Sequence, residues 1–264
     1  MLPSDPAALP LLLEGRIDVS GRIVDASNAT LFGTVHCNGV SAECVYKPIR
    51  GERPLWDFPD GTLAGREVAS WLLSEATGWS LVPPTVLRAG PLGPGMVQLW
   101  VDTEHERDLV DVVALDAVPT GWRRVLRAHD RHGDPALLVH ADTEGVRQLA
   151  VLDVLLNNAD RKGGHVLAGL DGGVYGVDHG ICLHHEDKLR TVLWGFLGEP
   201  LPAATLDVLR RLRCELDGTL GVALAEHLTR MEVLAVQERA EGLLATETFP
   251  APNGTWPAIP WPAF

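Results

Sequence analysis

The sequence predicts an α+β chain of two lobes, the first β-rich and the second mostly helical. Three observations carry this. Short strand-like runs crowd the first part of the chain around one helical stretch. The pattern changes near residue 101, and beyond it apolar residues recur mainly at helical spacing.

Residues 1–14 are rich in Pro, Ala and Leu without a clear period and read as a flexible arm. From residue 15 the runs 16–24, 31–37 and 44–47 are strand-like. They are separated by Asp25–Thr30 and by Asn38-Gly39, a dipeptide that favours a tight hairpin. Residues 50–62 hold Gly, Pro and Asp and read as a loop. Residues 64–77 are helical, with Val68, Trp71, Leu72 and Glu75 at helical spacing and Gly78 as the stop. Strands at 85–87 and 96–101 follow, joined by a Gly/Pro turn, and they complete a first lobe over 15–101. In the second lobe, 102–246, helices are expected at 108–115, 122–129, 143–156, 203–216 and 220–244. A hairpin is expected over 166–178. The segment 247–264 contains five prolines and two tryptophans; it cannot form regular helix and reads as an extended tail or a protein contact.

With 264 residues the chain can bury a substantial core. No apolar run approaches the roughly 20 residues that span a bilayer. Residues 9–13 lack a basic start and are too short for a secretion signal, so a cytoplasmic protein is expected. Cys37, Cys44, Cys182 and Cys214 show no paired spacing, which points to reduced thiols rather than zinc or disulfides. A formal charge of −13 excludes non-specific nucleic-acid binding. High Ala, Arg and Leu with few Lys is the usage of a GC-rich bacterial genome. There are three lysines, Lys47, Lys162 and Lys188, and two fall among the residues singled out below.

The most informative segment is Asn157-Asn158-Ala159-Asp160-Arg161-Lys162-Gly163-Gly164-His165, which follows an apolar helical run. Asp178-His179-Gly180 comes eighteen residues after Asp160, with a hairpin between. Phosphoryl-transfer enzymes of the kinase type use this order: a carboxylate for the acceptor hydroxyl, a metal ligand on the same loop, and a metal-binding Asp after a hairpin. Asp160 would accept the proton of the acceptor hydroxyl. Arg161 could pair with a loop carboxylate or stabilise transferring phosphoryl charge, and Lys162 could contact the γ-phosphate. Asp178 suits Mg²⁺ or Mn²⁺ bridging phosphates, with Gly180 permitting a sharp turn after it. His165, five residues past Asp160, is a potential second metal ligand.

In the first lobe, Lys47 ends a strand and Glu67 lies early in the next helix. A kinase uses such a pair to hold the α/β-phosphates. The turn at 25–30 offers Ser27 and Asn28 as phosphate donors, or is a plain hairpin. The 96–101 strand, with Leu99 and Val101, would hydrogen-bond adenine through its backbone, or is a core strand. Consecutive His184-His185-Glu186-Asp187 lacks metal-site spacing and reads as a solvated loop. Arg123, Arg124 and Arg127 read as a solvated helix face.

On these residues the chain resembles the phosphatidylinositol 3-/4-kinase superfamily, including compact bacterial relatives and HipA-type toxin kinases. Asp160-Arg161-Lys162-Gly163-Gly164-His165 matches its Asp-Arg-x-x-x-Asn pattern, and Asp178-His179-Gly180 its Asp-x-Gly. Asn158-Ala159-Asp160-Arg161 also resembles the Asn-x-Asp-Arg form of type II phosphatidylinositol 4-kinases. The resemblance implies a bilobal protein-kinase-like fold that binds ATP with Mg or Mn between its lobes. His165 departs from it, standing where the family has Asn; imidazole favours Mn²⁺ or impairs transfer. The resulting expectation is an ATP-dependent phosphotransferase acting on a hydroxyl of an unidentified protein, metabolite or lipid. Its rivals are an ATP-binding pseudokinase scaffold and an AMP-transferring enzyme.

Overall fold

The computed structural model describes residues 1–23, 28–104, 107–254 and 256–264. Its first part is a five-stranded antiparallel sheet, β1 (Arg16–Arg22), β2 (Leu31–Cys37), β3 (Val40–Pro48), β4 (Thr85–Gly90) and β5 (Gly93–Leu99), in the order β1-β2-β3-β5-β4. Asn38 and Gly39 both take positive φ, 49° and 80°, and close the β2–β3 hairpin in the way an Asn-Gly turn favours. Helix α2 (Leu63–Thr77) connects β3 to β4; Thr62 accepts from the Gly65 amide at its start, and Gly78, at φ 76°, ends it.

The arm expected over residues 1–14 contains a helix, α1 (Ala8–Glu14), whose Ala8, Leu11 and Leu12 are buried against the sheet. Arg88 of β4 donates to the Leu12 and Gly15 carbonyls at 2.8 and 2.7 Å, satisfying the end of that helix. Those donors come from residues far along the chain, which local periodicity cannot register.

The helices expected at 108–115 and 122–129 are strands. β6 (Val110–Ala114), β7 (Trp122–His129) and β8 (Pro135–Ala141) form a separate sheet in the order β6-β8-β7. β8 is almost wholly buried and covers an apolar face of the second lobe, so cross-strand packing overrides the helical spacing of its neighbours. Arg123 therefore lies on a strand, ion-paired with Asp142 and Glu199, and not on a solvated helix face.

Helix α3 (Glu144–Leu156), capped by Thr143, supplies the core of this lobe through Leu149, Leu152, Leu155 and Leu156. β9 (Val166–Ala168) and β10 (Val174–Gly176) form the expected hairpin. Helix α4 spans Ala203–Leu216. The single helix expected over 220–244 is two, α5 (Thr219–Leu224) and α6 (Arg230–Thr246). Thr229 starts α6 with a capping box, exchanging hydrogen bonds with Glu232, and that local bonding competes with continuing α5. The final segment has no helix among its described residues and lies on its own chain: the Thr191 amide donates to the Ala258 carbonyl at 3.1 Å and the Gly163 amide to the Ala263 carbonyl at 2.7 Å. No helix among the described residues is long and apolar enough to cross a membrane.

Candidate active site

The two loops singled out in the sequence meet on a buried polar scaffold. Asp153, in the last turn of α3, is fully buried. It accepts from Arg161 Nε at 3.0 Å and Nη2 at 2.9 Å, from Asn158 Nδ2 at 3.1 Å and from the Thr191 hydroxyl at 2.9 Å. The other arm of Arg161 donates to the Val177 carbonyl at 2.9 Å, so one guanidinium ties the Asp160 loop to the strand leading into Asp178. Arg161 is itself fully buried. It faces neither the cleft nor a loop carboxylate, contrary to both sequence expectations; its partner is a helix residue, and it positions the site without touching it.

Asp160 follows Asn157, which ends α3 at φ 49°. Its amide donates to Asn158 Oδ1 at 2.9 Å, while its carboxylate is partly exposed with Lys162 Nζ 3.4 Å away. Burial raises the Asp160 pKa, against the opposing pull of Lys162; the negative charge of Asp178 raises it further.

Lys47, near the end of β3, donates to Glu67 Oε1 at 2.6 Å and to Asp178 Oδ1 at 2.7 Å. Glu67 is buried, and its second oxygen accepts from the His179 amide at 2.9 Å. The helix carboxylate thus fixes both the strand lysine and the Asp-His-Gly backbone. Burial disfavours the lysine's charge, but Asp178 and Glu67 outweigh it and hold the Lys47 pKa above its ordinary value. Lys47 in turn holds Asp178 well below the usual carboxylate range. The sharp turn falls at Asp178 itself, with φ 61°, and not at Gly180 as the sequence suggested; Asp is among the residues that tolerate this region.

His165 Nε2 lies 3.6 Å from Asp178 Oδ2. Burial pushes the His165 pKa down to about 4, so the ring is neutral at physiological pH and offers a lone pair. Its Nδ1 is buried without a hydrogen-bond partner among the described residues. The half-exposed carboxylate of Asp178 beside a neutral imidazole fits one divalent cation completed by phosphate oxygens. Among the described residues no three His, Cys, Asp or Glu side chains gather into a self-sufficient metal cluster.

Lys47, His165 and Asp178 line a cavity of about 600 Å³ together with Ile23, Val45, Leu99, Val101 and Leu167. Its size and apolar lining suit a nucleoside. The Leu99 amide donates to the Pro84 carbonyl at 2.9 Å, so any backbone bond from the 96–101 segment to a base would come from its other amides or carbonyls. Asn28 points its side-chain oxygen at the Arg53 amide, 2.9 Å away, which ties down the following loop. Ser27 lies outside the described residues.

Sequence reasoning missed Asp153, His179 and Thr191. His179 is fully buried and accepts a hydrogen bond from Arg161 at 2.7 Å; burial keeps it neutral. An Asp within the apolar run 149–156 was the available signal, because a buried carboxylate demands partners. The His184-His185 loop is less solvated than expected. His184 is buried, edge-on to Phe58 with ring centroids 5.1 Å apart, and Lys188 is buried beside Asp57.

The protein has a kinase-like fold: over 90% of this chain and 72% of the other it superposes on the golgi casein kinase with a TM-score of 0.53 at 13% identity. A Helicobacter pylori proinflammatory kinase, CtkA, aligns over 90% of this chain and 94% of its own with a TM-score of 0.43 at 11% identity. No family model matches the sequence. The chain belongs to the family of Protein Rv2133c of Mycobacterium tuberculosis, being 51% identical to it over 263 residues that cover 96% of this chain and 94% of that protein.

Proposed function

We propose that the protein is an ATP-dependent, divalent-metal-requiring phosphotransferase of the phosphatidylinositol 3-/4-kinase-like type, acting on a hydroxyl group. The observation that carries this reading is the ionic chain Glu67–Lys47–Asp178, whose Lys47 and Asp178 line a nucleoside-sized cavity. Lys47 would release Asp178 and neutralise the α/β-phosphates, with Glu67 keeping its ammonium in place. Asp178 and His165 would hold a Mg²⁺ or Mn²⁺ ion, which supplies charge neutralisation between the β- and γ-phosphates. Asp160 would orient the acceptor hydroxyl and take its proton as the new oxygen–phosphorus bond forms. The bond from the γ-phosphorus to the β,γ-bridging oxygen breaks, and ADP leaves. Lys162, whose Nζ lies 3.4 Å from Asp160, would meet the γ-phosphoryl oxygens.

Intact mass after incubation of the purified protein with ATP and Mn²⁺ or Mg²⁺, with and without candidate acceptors, tests the reading. Addition of a phosphate to the protein or an acceptor is the expected result. Addition of AMP would assign the fold the opposite nucleotide orientation, and no ATP consumption under any condition would remove the proposal.

A further inference from the structure

Arg190 is bonded to the Asp160 loop through its backbone on both sides of the acid. Its amide donates to the Asn158 carbonyl at 2.8 Å, and its carbonyl accepts from the Arg161 amide at 3.1 Å. Its guanidinium lies over the Trp256 ring, 5.8 Å from the centroid, a contact that limits its rotation. The Arg190 charge is felt at Asp160.

With 35 acidic residues against 22 basic ones, a cation beside the catalytic loop would ordinarily be neutralised. The neighbouring cations are: Lys162 pairs with Asp160, and Lys188 with Asp57 at 3.4 Å and Glu186 at 3.7 Å. Arg190 differs. Among the described residues it has no ion pair, and its Nε is buried without a hydrogen-bond partner. A planar guanidinium held on an indole face, with donors unspent, is suited to bidentate capture of an oxyanion.

We propose that Arg190 is an anion-binding residue of the acceptor site, so that the hydroxyl to be phosphorylated is carried by a molecule with a phosphate or carboxylate group beside it. This rests on the phosphotransferase reading for its place in a reaction, but the anion site is measurable without catalysis. Trp256 is the platform, and the Arg190 main chain is bonded to Asn158 and Arg161, the residues that flank Asp160 in its loop.

The test is titration of the full-length protein with inorganic phosphate and, separately, acetate. It follows the Trp256 indole NMR signal, identified by loss in Trp256→Phe. Saturable movement of that signal is expected, weakened about 10- to 100-fold in Arg190→Gln, as loss of charge-assisted hydrogen bonds implies. Arg190→Lys, which keeps the charge and loses the fork, is expected to fall between the two and stands in should the Gln variant fail to fold. The stronger of the two anions names the oxyanion class. An unmoved Trp256 signal with both anions, or equal binding by wild type and Arg190→Gln, would overturn the assignment. Failure of phosphate transfer in the mass experiment would leave this result standing, so the two readings fail separately.

Discussion

Asp160 is a carboxylate poised to gain a proton more readily than a free one, because it is partly desolvated and shares the region with Asp178. A general base acts in its ionised form, so turnover should be present above its raised pKa and be lost as pH falls through it. The acid limb of the rate profile is expected above the ordinary carboxylate value near 3.9. Asp160→Asn should lower turnover by roughly 10²- to 10⁴-fold and abolish that limb, with nucleotide affinity little changed. Steady-state kinetics over pH checks this, and an unchanged rate in the Asn variant would contradict it.

His165 raises a separate residue-scale question. Its neutral ring can donate a lone pair, yet nothing among the described residues holds its other nitrogen, whereas metal-ligating imidazoles usually have that N–H fixed. His165→Asn supplies a harder amide oxygen and should raise Mg²⁺-supported turnover relative to Mn²⁺. Rates with each metal decide it; an unchanged metal preference would count against ligation.

At the scale of elements, α2 is anchored to α6 by a buried ion pair. Arg66 donates to Glu232, and also to the carbonyls of Cys182 at 2.8 Å and Asp60 at 3.0 Å. Glu67, next in sequence, owes its placement against Lys47 to this anchoring. Glu232→Ala would strand a buried guanidinium and break the α6 capping box at once. A loss of about 3–5 kcal/mol is expected from the denaturant midpoint, and a loss below about 1 kcal/mol would contradict the anchoring role.

The β8 sheet is joined to the turn at Trp194–Phe196 by His140, which is fully buried. Its Nε2 accepts from the Gly195 amide at 3.0 Å, and its Nδ1 meets the Ala141 carbonyl at 2.9 Å. Both bonds are satisfied by the neutral ring protonated on Nδ1; a second proton would face the Gly195 N–H. Burial lowers the His140 pKa from 6.5 to about 4. The unfolded chain therefore binds the proton first, and the stabilisation present above pH 6.5 is lost as pH falls towards 4. Unfolding free energy should drop by up to about 1.4 kcal/mol per pH unit from this residue. His140→Gln should flatten that slope; an equal slope in the variant would assign the acid sensitivity elsewhere.

The same scale explains what the sequence could and could not disclose. Asn38-Gly39, Gly78 and the Gly172-Gly173 turn are local signals, and the elements they bound formed where expected. Strands β6 and β7 were misread because their apolar residues recur at a spacing that also suits a helix, while residues such as Val110 and Leu126 find their partners, His140 and Leu138, on β8. Helix α1 was missed because it is completed by Arg88, more than seventy residues away. Within the site, Lys47, Glu67 and Asp178 were legible from their order and meet in one ionic chain. Arg161 was misplaced because no local rule distinguishes an arginine aimed at substrate from one neutralising a buried aspartate such as Asp153.

Across the whole molecule, residues distant in sequence converge on one cleft: Lys47 from the sheet and His165 and Asp178 from the second lobe line it, and Glu67 of α2 holds Lys47. The final segment adds backbone contacts to the same region, at Gly163 and Thr191. With a formal charge of −13 the surface would repel a polyphosphate, so under the proposed function Lys47 and a bound divalent cation would have to offset that repulsion in the cleft.

The most direct measurement is a crystal structure with a non-hydrolysable ATP analogue and Mn²⁺. The account requires the triphosphate to contact Lys47, the metal to touch Asp178, and the γ-phosphate to lie between Asp178 and Asp160. A nucleotide bound elsewhere, or a cleft that stays empty at saturating analogue, would contradict it.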